Sequence, residues 1–250
     1  DAMGTAYLDH FDNKLLIGTA NGIFSFVNIN EFYKKKSKLI VIPSNIKKLI
    51  KYDDFYNRSK FGIKDLLIHQ NKLYISYSKE VTKDCFNTSI LVAELNINKF
   101  NFKNFFTPDI CIKTNNNYGE FNPFHSGGRM VPYKDNQILF SVGEYRFRDY
   151  AQDKSNVFGK IISINIDTKK YKIISMGHRN SQGLFYDNIN NIIFSTDHGP
   201  QGGDEINVNT SPNKEIKNYG WPISSYGEHY GGYNFENSEK YKKAPLHKSH

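Results

Sequence analysis

The sequence predicts an all-β fold, and three observations carry that expectation. Four segments share one pattern of apolar run, polar turn and apolar run. Tyr and Phe account for 17 and 19 of the 250 residues, and aromatic side chains pack well on a pleated, half-buried surface. No long stretch repeats its apolar residues at the helical period.

The first segment is AYLDHFDNKLLIGTANGIFSF, from Ala6, with Asn13 at its turn. The second, DLLIHQNKLYISYS from Asp65, turns at Asn71. MVPYKDNQILFSVGE from Met130 turns at Asn136, and GLFYDNINNIIFSTDHG from Gly183 turns at Asn190. Asn tolerates the left-handed backbone that tight hairpins need. Further strands are expected in SILVAELNI from Ser89 and in GKIISINIDTKKYKII from Gly159. NIKKLIKYDDF from Asn45 reads as a short helix or a connection. The turn asparagines recur about 55–65 residues apart, which leaves room for roughly four strands per unit, the size of a β-propeller blade. A sandwich would also supply short strands, but not recurrence at blade length. The expectation is one propeller domain over residues 1–250 with about four blades. The closing EKYKKAPLHKSH contains no strand, so the sequence is expected to stop before a ring is complete.

Charge and length narrow the function classes. Net charge is +8, and basic runs such as YKKKSK (Tyr33 to Lys38) and KYKK (Lys240 to Lys243) read as solubilising surface. No helix-turn-helix, RRM or KH signature accompanies them, so nucleic acid is not an expected partner. No apolar run reaches the roughly 18 residues that would span a bilayer. Cys85 and Cys111 allow at most one bridge, and the sequence leaves their pairing open.

Three loops hold chemistry-bearing residues, and in a blade-built fold loops carry function while strands pack. FNPFHSGGRM places His125 beside Ser126, Gly127 and Gly128. GHRNSQGL holds His178, Arg179, Asn180 and Gln182; an Arg-Asn pair can clamp a carboxylate or quinone oxygen, or cap loop carbonyls. DHGPQGGDEIN offers carbonyls at Gly199 and Pro200, with Asp204 and Glu205 as hard oxygen donors suited to Ca²⁺. Taken singly, each also reads as an ordinary surface loop. Nicotinamide, Walker A, G-x-S-x-G and H-E-x-x-H fingerprints do not occur.

Taken together and in order, HSGGRM, GHRNSQGL, DHGPQGGDEIN and NYGWP (Asn218 to Pro222) resemble the motifs of the glucose/sorbosone dehydrogenase family, in particular its soluble aldose sugar dehydrogenases that use pyrroloquinoline quinone (PQQ). AQDKSNVFGKIISIN also looks like the family's segment between the first two motifs, and weaker likeness reaches back to about Phe61. The resemblance implies a six-bladed propeller, a periplasmic or secreted location, and oxidation of a sugar hydroxyl with PQQ and Ca²⁺. It implies His125 as general base, and Arg179, Asn180, Gly199, Pro200 and Tyr230 near cofactor or substrate. Glu205 and Tyr219 fall where a structural calcium is held, the tyrosine through its carbonyl. Departures are Lys60, where relatives carry a cofactor-contacting glutamine, and the longer insert INVNTSPNKEIKN between Glu205 and Tyr219. The substrate is expected to be a small sugar, with the electron acceptor unspecified. The alternative, from another class, is a propeller of the same superfamily that binds a glycan or a protein partner without redox chemistry.

Overall fold

The computed structural model describes residues 5–31, 37–117, 119–225 and 227. Strand and helix bounds follow the sequence pattern closely. The first sheet is formed by β1 (Ala6–Phe11), β2 (Lys14–Thr19), β3 (Phe24–Asn28) and β4 (Ile40–Ile42), paired in that order. Two single-turn helices follow, α1 (Ile46–Leu49) and α2 (Asp53–Asn57), where the sequence left helix and connection open. The second sheet orders β5 (Ile63–His69), β6 (Lys72–Thr82), β7 (Cys85–Glu94) and β8 (Lys103–Phe106), with β9 (Ile112–Lys113) also on β7. The third comprises β10 (Gly127–Tyr133), β11 (Gln137–Val142), β12 (Lys160–Asn165) and β13 (Tyr171–Met176), with a short helix α3 (Asp149–Gln152) between β11 and β12. The fourth runs β14 (Ser181–Asp187), β15 (Ile192–Asp197) and β16 (Glu205–Asn209), after which β17 (Lys217–Asn218) returns in parallel to β13. Four consecutive, mainly antiparallel up-and-down sheets are propeller blades, as expected.

The hairpin turns lie where the asparagines predicted them, but the left-handed residue varies. Asp12, Gln70 with Asn71, Lys134 and Asn191 carry φ values between 48° and 57°. At the fourth turn Asp187 Oδ1 accepts from the backbone N–H of Ile189 and Asn190, which fixes a tight reversal by a side-chain bond.

The chain divides into two compact units, Asp1–Glu80 with Asn87–Thr107 and Val81–Phe86 with Pro108–His250. In the first, Leu16, Phe24, Phe55, Leu73, Ile75 and Phe100 anchor an aromatic-rich core, each at most 1 % exposed. In the second, Tyr133, Leu139, Ile161, Ile174 and Ile193 pack across the third and fourth sheets, with the Tyr133 and Tyr186 rings edge-on at 4.6 Å. Cys85 and Cys111, both in the second unit, are joined in a disulfide. That bond ties the start of β7 to β9 and settles the pairing that the sequence left open.

A β-bulge recurs at one end of three hairpins. Register shifts lie between Ile63 and Asp65, Gly127 and Met130, and Ser181 and Gly183. Each marks the first strand of its blade, close behind the incoming loop. Bulges re-aim side chains and cluster beside active sites.

Candidate functional site

In an antiparallel hairpin, the residues before the first strand and after the second meet at the same end. The third and fourth sheets use this geometry twice. His125 precedes β10 and Glu144 follows β11; Arg179 and Asn180 precede β14, while Asp197 closes β15 and His198 follows it. Both hairpins belong to the second unit.

The His125 Nδ1 lies 2.8 Å from Glu144 Oε1, with His125 7 % exposed and Glu144 fully buried. The backbone after Glu144 is unusual, since Tyr145 and Arg146 adopt φ of 51° and 68°. Two successive left-handed non-glycine residues store local strain and occur preferentially at functional sites. The loop is pinned by Tyr145 N to His125 O and by Phe147 N to Glu144 O. Burial holds the His125 pKa below its ordinary value; Glu144 pulls it up by hydrogen bond and charge, while Arg179 and Arg146 push it further down. The net effect is a neutral imidazole at pH 7, with Nδ1–H given to the carboxylate and Nε2 carrying the lone pair.

A chain of bonds couples this loop to the fourth sheet. Glu144 N donates to Arg179 O, and Gly127 N donates to Asn180 Oδ1 at 3.0 Å. Asn180 N in turn donates to Asp197 Oδ1 at 2.6 Å. Asp197 Oδ2 faces His178 Nδ1 at 2.9 Å, and His178 Nε2 meets Ser175 Oγ at 2.7 Å. Ser175, His178 and Asp197 are at most 4 % exposed. The Ser-His-Asp geometry is therefore a buried strut, closed to substrate. Gly127 carries φ of 60°, and a Cβ there would meet Gly143 N at 2.8 Å, so only glycine fits the bend that brings its N–H to Asn180.

Arg179 is 5 % exposed, and its Nη1 donates to the carbonyls of His198 and Gly199 at 2.9 and 2.8 Å. Its guanidinium also lies over the Trp221 ring, 5.3 Å from the centroid. Of the two roles the sequence allowed, capping loop carbonyls is the one the structure displays. Pro200 O accepts from Gly203 N in a turn, and Gly199 N donates to Asp204 Oδ1. His125, Arg179, Asn180, Gly199 and Pro200 thus stand on loops at one end of the third and fourth sheets.

The acidic loop behaves differently. Asp197, Asp204 and Glu205 line a recess of about 250 Å³ with Thr196 and His198. Glu205 is partly buried, and burial raises its pKa, reinforced by Asp197 and Asp204 and opposed by the Asn207 amide and His178. The Tyr219 ring lies 5.1 Å from the His178 ring, tilted by 43°, and burial pushes its phenol up to about 12. Glu205 and Tyr219 therefore both approach His178. Among the described residues, no group of three His, Cys, Asp or Glu side chains is arranged to hold a metal. Tyr230 lies outside the described residues. Lys60 belongs to the first unit, with its Nζ 5.9 Å from the Phe61 ring centroid.

Comparison with known proteins decides the family. The family model described as Glucose / Sorbosone dehydrogenase matches residues 12–248. The chain belongs to this family. The aldose sugar dehydrogenase YliI of Escherichia coli is 34% identical over 122 residues, 44% of this chain and 32% of that protein. An uncharacterised protein of Borreliella burgdorferi is 36% identical over 128 residues, 48% of this chain and 31% of that one. The matched stretches thus span about a third of these relatives' length. Among solved structures, a glucose dehydrogenase superposes with a TM-score of 0.71 at 22% identity, covering 96% of this chain and 69% of that one. The apo soluble aldose sugar dehydrogenase of Escherichia coli gives 0.67 at 22% identity, covering 94% and 67%. A PQQ-bound aldose sugar dehydrogenase from Streptomyces coelicolor gives 0.61 at 17%, covering 89% and 67%. These structures establish the propeller fold of the family for this chain.

Sequence reasoning missed the parts played by Glu144, Arg146, Asp197 and Trp221. One signal was available. His125 and Glu144 are 19 residues apart, and His178 and Asp197 are also 19 apart. A histidine entering one blade hairpin and an acid leaving it recur in successive blades.

Proposed function

We propose that the protein oxidises a hydroxyl of an aldose or related sugar, with PQQ as hydride acceptor and His125 as the base. The observation that carries this reading is the buried His125–Glu144 pair beside Arg179. When bound, the quinone supplies the two-electron acceptor that side chains lack. An anionic tricarboxylate suits the charge here, since the positive charges of Arg179 and Arg146 both reach His125. Arg179, Asn180 and Tyr230 are the residues proposed to hold it.

The chain's own residues account for the proton. His125 Nε2 takes the hydroxyl proton as hydride leaves the same carbon, and Glu144 stabilises the positive ring through Nδ1–H. Burial, helped by the charges of Arg179 and Arg146, keeps the resting imidazole neutral, and the lowered pKa extends its basic form to acidic pH. In the complete protein loaded with PQQ, the acid limb of sugar-dependent quinone reduction is expected below the ordinary imidazole value of 6.5. Glu144→Gln keeps an acceptor for Nδ1–H but removes the negative charge that raises this pKa, so the limb moves lower while the rate falls by about tenfold or more. A limb above 6.5, or one that Glu144→Gln leaves in place, contradicts this reading. Absence of PQQ binding alongside saturable glycan binding supports the alternative of a non-catalytic module.

Calcium divides into two cases. A divalent cation at the Gly199 and Pro200 carbonyls would lie against the Arg179 guanidinium, so these residues do not fit one as arranged, and no step is assigned to it. Glu205 with the Tyr219 carbonyl is proposed as a structural calcium site, because the recess gathers carboxylates at a blade rim and hard oxygens suit Ca²⁺. Ca²⁺ at a hundredfold excess over its Kd is expected to stabilise the complete protein by about 2.7 kcal/mol, and Glu205→Gln to abolish that gain. Thermal unfolding with and without Ca²⁺ measures it, and an equal gain in the variant removes Glu205 from the site. The Cys85–Cys111 disulfide supports a periplasmic or secreted location, since such bonds persist in oxidising compartments.

A further inference from the structure

Arg146 stands two residues beyond Glu144, on strained backbone. Its φ of 68° follows the 51° of Tyr145, a conformation that persists only where the surroundings impose it. Here they do. Tyr145 N donates to His125 O, Asn122 N donates to Tyr145 O, and His125 N donates to Asn122 O. The segment that leads to the base and the segment that leaves Glu144 are therefore tied together, and Arg146 is the first residue past the tie.

The two arginines of this loop are held differently. Arg148 is 3 % exposed, and its Nη2 donates to Glu120 Oε2 at 2.7 Å, a charge-assisted bond that fixes the loop. Arg146 comes only within 3.9 Å of the same oxygen, and its side chain is 33 % exposed. Arg148 has thus already taken the carboxylate. Arg146 makes no side-chain hydrogen bond among the described residues, and its Nε is buried without a partner. A buried donor without an acceptor is costly, and native structures leave few of them. A guanidinium fork in this state is suited to a carboxylate or phosphate, which it can take in two parallel bonds.

Arg146 also lies close enough to His125 for its charge to act on the imidazole. The Nη1 of Arg179, the other guanidinium beside the base, is taken up by the His198 and Gly199 carbonyls. Arg146 keeps its donors. We propose that Arg146 determines substrate specificity by seating an anionic group of the sugar, a carboxylate or a phosphate, so that an anionic sugar is preferred over a neutral aldose. This rests on the sugar-oxidising reading above for its link to catalysis, while anion binding itself does not. The oxidation is unchanged: hydride goes to the quinone and the hydroxyl proton to His125, and Arg146 takes part in neither transfer. The net charge of +8 favours the approach of such anions.

The test reads selectivity as a ratio, because any effect of Arg146 on the base scales all substrates alike. In the complete protein loaded with PQQ, kcat/KM for glucuronate or for glucose 6-phosphate is expected to exceed that for glucose by about tenfold or more, the size of one charge-assisted pair. The two probes show whether carboxylate or phosphate is taken. Arg146→Gln is expected to bring the ratio to about one, chiefly through KM, and Arg146→Lys to restore part of it by keeping the charge without the fork. Independently, saturation-transfer NMR on the complete protein without PQQ is expected to show contacts to at least one of these anions that are lost in Arg146→Gln. Such contacts without any sugar oxidation would uphold the anion site and sink only the enzymatic reading. A wild type that uses glucose as well as both anions, or an Arg146→Gln variant that keeps the wild-type ratio or the wild-type contacts, overturns the proposal.

Discussion

Replacing Asp197 with alanine is expected to destabilise the second unit by about 2–6 kcal/mol. The magnitude follows from what the carboxylate holds. Asp197 is 4 % exposed; its Oδ1 takes the Asn180 N–H at 2.6 Å and its Oδ2 faces His178 Nδ1 at 2.9 Å. Alanine strands a buried backbone donor and a buried ring nitrogen, and each unsatisfied group costs about 1–3 kcal/mol. Asp197→Asn keeps one acceptor, so a smaller loss of about 1–3 kcal/mol is expected. The effect also reaches the base, because Asn180 Oδ1 holds Gly127 N two residues from His125. At a temperature where Asp197→Asn remains folded, its kcat/KM is therefore expected to fall as well. Urea unfolding gives the stability; a change in Asp197→Ala within about 0.5 kcal/mol of wild type, the range of inert surface substitutions, would show that the strut does not bear on the fold.

The blade pattern was legible because a strand with one face buried must alternate its residues, and its turns need backbone that asparagine and glycine adopt readily. Asn13, Asn71, Asn136 and Asn190 thus located four hairpins correctly. The left-handed residue itself was not legible: Lys134 at the third turn takes φ of 49° because the reversal demands it of whatever stands there. The rim loops were legible as clusters of polar residues, and the structure sets His125, Arg179, Asn180, Gly199 and Pro200 on loops at one end of the third and fourth sheets.

Partnerships within the rim were less legible. Glu144 becomes the partner of His125 through the register of β10 on β11, in which Gly127 stands opposite Val142. No local motif encodes that pairing. Arg179 reads in sequence as an anion clamp, yet its Nη1 is taken by the His198 and Gly199 carbonyls. Only the backbone path from Asp197 to Asp204 brings those oxygens within reach. The pairing of Cys85 with Cys111 likewise depends on β9 folding back onto β7.

The largest expected effect is at His125. A positioned general base contributes about 10²–10⁴-fold, so His125→Ala in the complete protein is expected to lower kcat/KM for an aldose by that factor. The loss should fall on the chemical step. The arginines that match an anionic quinone are untouched, and Glu144 N remains bonded to Arg179 O through the backbone. His125→Gln preserves polarity and volume but cannot accept and hold the proton as imidazole does, so its rate should stay near that of alanine. The deciding measurement is stopped-flow absorbance of the PQQ-loaded complete protein mixed with an aldose. The wild type should show sugar-dependent quinone reduction, while His125→Ala retains bound PQQ and reduces it at least about a hundredfold more slowly. Reduction at the wild-type rate in His125→Ala would contradict the assignment of the base, and with it the account of the site.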